Sequence, residues 1–379
     1  MENFVVIDLG SNSIRLRITQ ITEGNFLRVT HQLKEYVRLS ENMGPERILQ
    51  QVPMDRTLEA LKKFKGIIDG LTNTHVVAIG TAATRQAKNQ KEFLKRVKNE
   101  TGLSLEVISG EREAYLDYLG AAHTLPLHNC LLMDTGGAST ELILVQDGKP
   151  VNLTSLPFGS VTISQRFHLE DRITAASLFQ AMTVVEKALS NLDWLLSAHK
   201  IPLVCLGGSN RTLAKIARNR WHTDAGDVPD IHGFTLPADD ATDIMTDLIS
   251  RDRAGREDIS GLTSDRSDVI VGGLTPLVLI LRICHIGEIV FSNHGLREGC
   301  LFEYLAKRQA EHKAAPPAFH IPAPPEATIV TIDDIASGRI APPPGTNASE
   351  IAPSKHSKKK AKKNKKKSGG VGQRGKGFR

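Results

Sequence analysis

Val5-Val6-Ile7-Asp8-Leu9-Gly10-Ser11-Asn12-Ser13 opens the chain, and Leu131-Leu132-Met133-Asp134-Thr135-Gly136-Gly137-Ala138-Ser139 repeats its pattern near the middle. Each stretch is an apolar run, an Asp, one further residue, a Gly and then small residues. A short apolar run stopped by Gly reads as a buried strand entering a tight turn. Strand signals follow the first copy at 14–20, 26–33, 75–79 and 105–108, with helical spacing at 55–71, 91–101 and 111–120. The second copy is followed by strands at 141–145 and 202–206 and by a long helix expected over 175–199. Asp147-Gly148 reads as a hairpin turn. An α/β unit met twice predicts two related α/β domains facing each other across a cleft. The boundaries expected are 1–124 and 125–305, the last helix of the second packing back on the first. A Pro/Ala-rich linker is expected over 306–353, with a short strand at 328–332, and a disordered Lys-rich tail over 354–379.

Charge follows that division. The chain carries a net charge of +6, but 354–379 holds twelve Lys/Arg and no Asp/Glu, so residues 1–353 carry −6. The high isoelectric point belongs to the tail, and the folded part is not a basic nucleic-acid-binding domain. The N-terminal residues lack the basic start and cleavage site of a signal peptide. The apolar run 269–283, interrupted by glycines, a proline and Arg282, is too short to span a bilayer and predicts a buried helix. Cys130, Cys205, Cys284 and Cys300 form no C-x-x-C pair. Reduced thiols in a cytoplasmic protein without a membrane partner are the expectation.

The two loops are the candidate chemistry. A turn built from Gly10, Ser11, Asn12 and Ser13 exposes successive backbone N–H groups, and such a nest binds phosphate oxygens. Asp8 at the strand end suits Mg2+ held through water. One such turn is ordinary; a second at Asp134–Thr140, opposed across a cleft, makes a clamp for a chain of phosphates. Glu141 reads either as a solvated strand-end residue or as the holder of a metal-coordinating water beside Asp134. Glu113, in a first helical turn, reads either as a helix-dipole carboxylate or as a general base orienting water for attack on phosphorus. Arg85 follows Gly80-Thr81 and suits bidentate phosphate pairing, or no function. Gly370–Lys376 has P-loop spacing without the Ser/Thr or a preceding strand. The histidines form no zinc pattern, and Gly207-Gly208-Ser209 lacks the form of a hydrolase elbow.

Eight motifs in order carry a resemblance. They are Val6–Arg15, Ile79–Arg85, Ile108–Ala114, Asp134–Glu141, Leu156–Gly159, Gly207-Gly208 before Arg211–Ala214, His232-Gly233-Phe234, and Gly295–Gly299. The sequence resembles the exopolyphosphatase and guanosine pentaphosphate phosphatase family, in the superfamily of actin, the heat-shock chaperone ATPases and the sugar kinases. The match covers most of residues 4–305. It implies two actin-like (ribonuclease H-like) domains with the site between them. It also implies Mg2+-dependent removal of the terminal phosphate from inorganic polyphosphate, or of the 5′ γ-phosphate from guanosine pentaphosphate. On the resemblance, Glu113 is the catalytic base, with Glu141 also catalytic, and Asp8, Asp134 and Glu141 serve the metal. Phosphate binding falls on Gly10, Ser11, Asn12, Ser13, Arg15 and Arg85, on Gly136, Gly137, Ala138, Ser139 and Thr140, and on Gly208 and Ser209. Ala138 stands where the family usually has a third Gly, and Tyr115 where an Arg commonly follows Glu-Ala. The extra C-terminal domains of longer members are absent, so the chain reads as the short, two-domain form. Polyphosphate hydrolysis is the leading expectation. The rivals are pentaphosphate hydrolysis, a weakly hydrolytic nucleotide- or polyphosphate-binding regulator and, further off, a sugar kinase. The tail is expected to meet polyphosphate or RNA, or to act as a solvated solubility tail, and a homodimer is among the partner expectations.

Overall fold

In a computed structural model, residues 1–22, 26–221 and 229–312 are described. The expected strand at 328–332 and the Lys-rich tail lie outside them. The first half runs β1 (Glu2–Leu9), β2 (Ile14–Ile21), β3 (Leu27–Glu35), α1 (Gln51–Asp69), β4 (Thr74–Gly80), α2 (Ala82–Gln86), α3 (Gln90–Thr101), β5 (Glu106–Val107) and α4 (Gly110–Ala122). The second runs β6 (Cys130–Thr135), β7 (Thr140–Gln146), β8 (Lys149–Leu156), α5 (Ser160–Phe167), α6 (Ala175–Ser190), β9 (Leu203–Gly207), α7 (Gly208–Trp221), β10 (Thr235–Pro237), α8 (Ala238–Ser250), α9 (Arg253–Glu257), α10 (Ile270–Ile283), β11 (Glu288–Phe291) and α11 (Leu296–His312).

The sequence repeat becomes a repeat of topology. One sheet has the order β3-β2-β1-β4-β5 and the other β10-β11-β9-β6-β7-β8. In each, an antiparallel three-strand meander leads into a parallel neighbour, β1 to β4 and β6 to β9. β1 and β6 are central and buried on both faces, as their unbroken apolar runs require. β7 turns into β8 through Asp147 and Gly148, both at positive φ (49° and 73°), the backbone of a type I′ hairpin.

The helices do not stay with their own sheets. The first sheet buries Ile7, Leu9 and Leu16 against Leu58, Leu61 and Phe64 of α1 and Phe93 of α3. Its other face, through Phe4, Val6 and Ile79, is covered by Leu301, Phe302 and Leu305 of α11. Ala114 and Ala121 of α4 instead pack on Leu132, Ile143 and Val145 of the second sheet. The far face of that sheet is covered by α5 to α8 and by α10, the buried helix expected at 269–283. α4 and α11 therefore lie side by side between the sheets. Their crossing is built from glycine: a Cβ on Gly120 would sit 2.1 Å from the Gly295 carbonyl oxygen, and one on Gly299 2.0 Å from that of Leu116. Arg112 clamps Glu303 across the same seam with bonds of 2.7 and 2.5 Å.

Two boundary expectations are corrected. The helix expected over 175–199 ends at Ser190, and Leu195–Ala198 is a separate 3-10 turn. Ser190 bonds back to the Glu186 carbonyl, and Asn191 and Asp193, poor helix formers, follow it. The linker cannot begin at 306, because α11 continues to His312. Lys307 pairs with Glu303 one turn earlier, and Arg308 reaches Glu2 of β1.

Gly120→Ala places a methyl against backbone that cannot step aside. It is expected to lower unfolding stability by about 1–3 kcal/mol, read in a denaturant melt.

Candidate active site

β1 and β6 both end in an Asp and then a tight loop, and the loops close identically. Gly10 N–H donates to Ser13 O at 3.1 Å, and Gly136 N–H to Ser139 O at 3.0 Å. The loops also touch. A Cβ on Gly137 would lie 2.9 Å from Ser11 Cβ and 3.1 Å from Asn12 N, so glycine lets the two meet. Asn12 is buried, and neither side-chain amide atom has a partner among the described residues. The cavity between the loops is lined by Asp8, Gly10, Ser11, Asn12, Ser13, Arg15, Glu113, Asp134, Gly136, Gly137, Ser139, Glu141 and Gly208.

Carboxylates form its floor. Ser109 caps α4, accepting from Arg112 N–H, and this sets Glu113 in the first turn. Asp117 follows one turn on, and Asp134 stands directly opposite Glu141 in the β6–β7 register. Burial raises the pKa of the Glu113 carboxyl to about 7, against the pull of Arg85, which pairs with it at 3.0 Å. Burial, and then Glu113 and Asp134, push Glu141 well above the usual range, while Ser155 Oγ–H holds one of its oxygens at 2.7 Å. Asp117 and Asp134 are raised too, chiefly by burial.

Cations share the cavity with them. Arg15, Arg211 and Arg266 line the cavity. Burial, then Arg297 and Arg211, pull Arg15 down to about 9; burial likewise brings Arg211 to about 10. The Arg266 guanidinium lies flat on Gly208, where a Cβ would be 1.9 Å from Nη2. Burial, then Arg266 and Arg15, pull Lys34 down to about 6, so it is not among the cations at pH 7; burial, then Arg211, lowers Lys215 too.

Among the described residues no three acidic, His or Cys side chains close into a ready metal cage. Mg2+ does not need one, since it keeps waters and takes one or two carboxylates together with substrate phosphates. Asp134 and Glu141, hard oxygen donors whose pKa values burial raises, fit that mode, with Asp8 lining the same cavity.

The model of the Ppx/GppA phosphatase family matches residues 17–308. The chain belongs to that family. Ppx/GppA relatives include the bifunctional 3-dehydroquinate synthase/phosphatase of Fusobacterium nucleatum, 29% identical over 78% of this chain and 46% of its own length. The guanosine-5'-triphosphate,3'-diphosphate pyrophosphatase of Aeromonas salmonicida is 28% identical over 80% of this chain and 59% of its own. The chain thus spans about half the length of these curated relatives. The crystal structure of an exopolyphosphatase from Cytophaga hutchinsonii superposes with a TM-score of 0.75 at 27% identity, covering 81% of this chain and 98% of that one. Two facing actin-like halves are the shared architecture of the family.

Four of the expected Ppx/GppA site residues stand off the cavity wall. Arg85 reaches Glu113 and the Ile108 carbonyl from behind. Thr140 precedes Glu141 in β7, so alternation turns it away, and its hydroxyl donates to Phe158 O. Ser209 is packed toward Gly273 of α10. Ala138 is buried, and its carbonyl accepts from Gln86 of the other half. The wall also holds Thr81, Asp117, Thr135, Ser160, Gly207, Arg211, Arg266 and Leu296, which the sequence reading gave no site role. Arg211, three residues beyond Gly208 at a helix start, carried a signal; Arg266, in a 3-10 turn without a motif, carried none.

Gly208→Ala drives a flexible guanidinium aside rather than backbone. The melting temperature should hold, while competitive inhibition by pyrophosphate weakens at least about tenfold, the worth of one charge-assisted hydrogen bond.

Proposed function

We propose that this chain is an exopolyphosphatase that removes the terminal phosphate of inorganic polyphosphate in the presence of Mg2+. One observation carries the reading. Arg15, Arg211 and Arg266 line the cavity, Arg297 adjoins them, and none of the four is in a salt bridge among the described residues. Four clustered guanidinium groups favour a ligand with many negative charges in a row. Among the described residues the cavity wall, by contrast, contains no aromatic residue and only Leu296 as a large apolar side chain, which gives a guanine ring nothing there to stack on.

In this reading the loop N–H groups and the arginines bind the terminal phosphates and stabilise charge on the transferred phosphoryl. Glu113 accepts a proton from a water aligned behind phosphorus. The new P–O bond forms as the anhydride bond breaks, and the shortened chain leaves with the bridging oxygen. Arg85 orients Glu113 and keeps its carboxylate available. Asp134 and Glu141 would hold Mg2+, which offsets phosphate charge. Pentaphosphate hydrolysis is the second reading, favoured by the name of the Aeromonas relative.

Glu113→Gln should reduce phosphate release from medium-chain polyphosphate about 10²–10⁴-fold while binding persists. Faster release from guanosine pentaphosphate than from polyphosphate by the unaltered protein would transfer the assignment to the second reading. The base must be ionised, so activity rises with pH through about 7 and then levels. Arg85→Gln removes the charge that favours the ionised form and should move that rise to higher pH in the kcat/KM profile.

The twelve cations of 354–379 are proposed to recruit the same polyanion by counterion release. Truncation at Ser354 should raise KM for long chains at low salt and flatten its salt dependence. An unchanged KM would remove the tail from the reaction.

A further inference from the structure

Two segments of chain cross between the halves. One leaves α4 through Thr124 toward β6, and the other leaves β11 through Asn293 toward α11. The ring of His232, which is not part of the cavity wall, stands between them. Asn293 N–H donates to its Nδ1 at 3.3 Å, and its Nε2 lies 3.3 Å from Thr124 O. The first bond makes Nδ1 an acceptor, so the proton sits on Nε2 and points to the Thr124 carbonyl. One neutral imidazole thus bonds both crossings. The loop around it is shaped for this. Gly233, at φ 82°, turns the chain and donates to Phe291 O at 2.8 Å. Asp230 accepts from His232 N–H at 3.3 Å and from the Asn293 amide at 3.4 Å. The His294 ring packs 4.4 Å from that of His232.

Elsewhere the halves meet over the site. Gly137 abuts Ser11, Gln86 donates to Ala138 O at 3.3 Å, and Arg38 pairs with Asp268 at 2.7 Å. Rotation about the two crossings would part these contacts and separate the loops. Glu113 lies roughly 14 Å along α4 from its end at Ala122, at 1.5 Å per residue, and Thr124 follows directly, so a change of angle at the crossing is felt at the base.

We propose that His232 is a positioning residue that fastens the two crossings to each other and so sets the angle at which the halves close. It touches no substrate. Its role is to make two separate pivots behave as one, narrowing the range of open forms.

The test reads inter-half distance and kinetics together. The four native cysteines are buried, so spin labels can be directed to introduced cysteines at exposed Glu59 on α1 and Lys187 on α6. Without substrate, the unaltered protein should give one narrow distance distribution and His232→Leu a broader or longer one. For the folded fraction, kcat/KM on polyphosphate should fall about tenfold, the worth of one net hydrogen bond. His232→Asn keeps an acceptor near the Nδ1 position and His232→Gln a donor near the Nε2 position, so each should recover part of both losses. An unchanged distribution in His232→Leu overturns the proposal, as does a broadened one with unchanged kcat/KM. Should His232→Leu not fold, His232→Gln carries the test, and an unchanged distribution there overturns it. The distances are read without substrate, so failure here is separate from failure of the polyphosphate reading.

Discussion

The contact on which the rest depends is the glycine-lined crossing of α4 and α11. A helix pair packed at ordinary distance would hold the two sheets further apart. Gly120 and Gly299 let backbone meet backbone, and Gly295 makes room for the Asp117 and Leu206 side chains. That spacing seats α4 on the second sheet while α11 seats on the first. It also delivers the N-terminus of α4, and with it Glu113, to the gap between the loops. Asp117 ties the arrangement together by accepting the Leu296 N–H at 2.8 Å, so the floor of the cavity and the start of α11 share one bond. Beside it Glu298 accepts from Gly295 N–H and pairs with Arg17; burial alone would raise its pKa, but Arg17 and Arg297 outweigh that and bring it to about 2.

The cavity this creates is crowded with charge of both signs. Asp8 stands opposite Arg15 in the β1–β2 register, and Arg211 and Arg15 pull the Asp134 pKa down against its burial. Asp117 and Glu141 instead feel other acids, and burial first and then those neighbours raise both. A phosphate chain would suit the arginines and a divalent cation the acids. The acids ride on β1, α4, β6 and β7, the bases on β2, α7 and the turn Ser264–Arg266. That turn is held by Arg256, fully buried, whose guanidinium donates to main-chain carbonyls including Ser267 O at 2.8 Å.

What the sequence disclosed was local chemistry repeated. A strand, an Asp and a Gly turn can be read within nine residues, and its second copy implied the facing halves. Glu113 was legible because a capped helix start is a local pattern. Asp117 was not, since its place in the floor depends on where α4 lands on another sheet. Arg266 reaches the wall only because α8, α9 and the loop after α5 fix its turn through Arg256. Thr140 and Ser209 were expected at the site as parts of motifs that carry the resemblance, but strand alternation sends one away and packing against α10 the other. Helix ends failed in both directions: Ser190 stops a helix whose apolar spacing runs on, and α11 outlasts the change in composition that suggested an earlier stop.

The exchange of α4 and α11 between the sheets also bears on synthesis. When residue 124 has left the ribosome, every strand of the first sheet exists, yet Phe4, Val6 and Ile79 have cover only from α4, through Leu116. Their remaining partners, Leu301, Phe302 and Leu305, come from the far end of the described residues. At about 5–20 residues per second, that apolar face waits on the order of ten seconds or more for its lid. The N-terminal half is therefore a nascent chain that cannot finish early. Contacts so long in sequence slow folding in general, and an apolar face left open in that interval is the kind of surface chaperones hold.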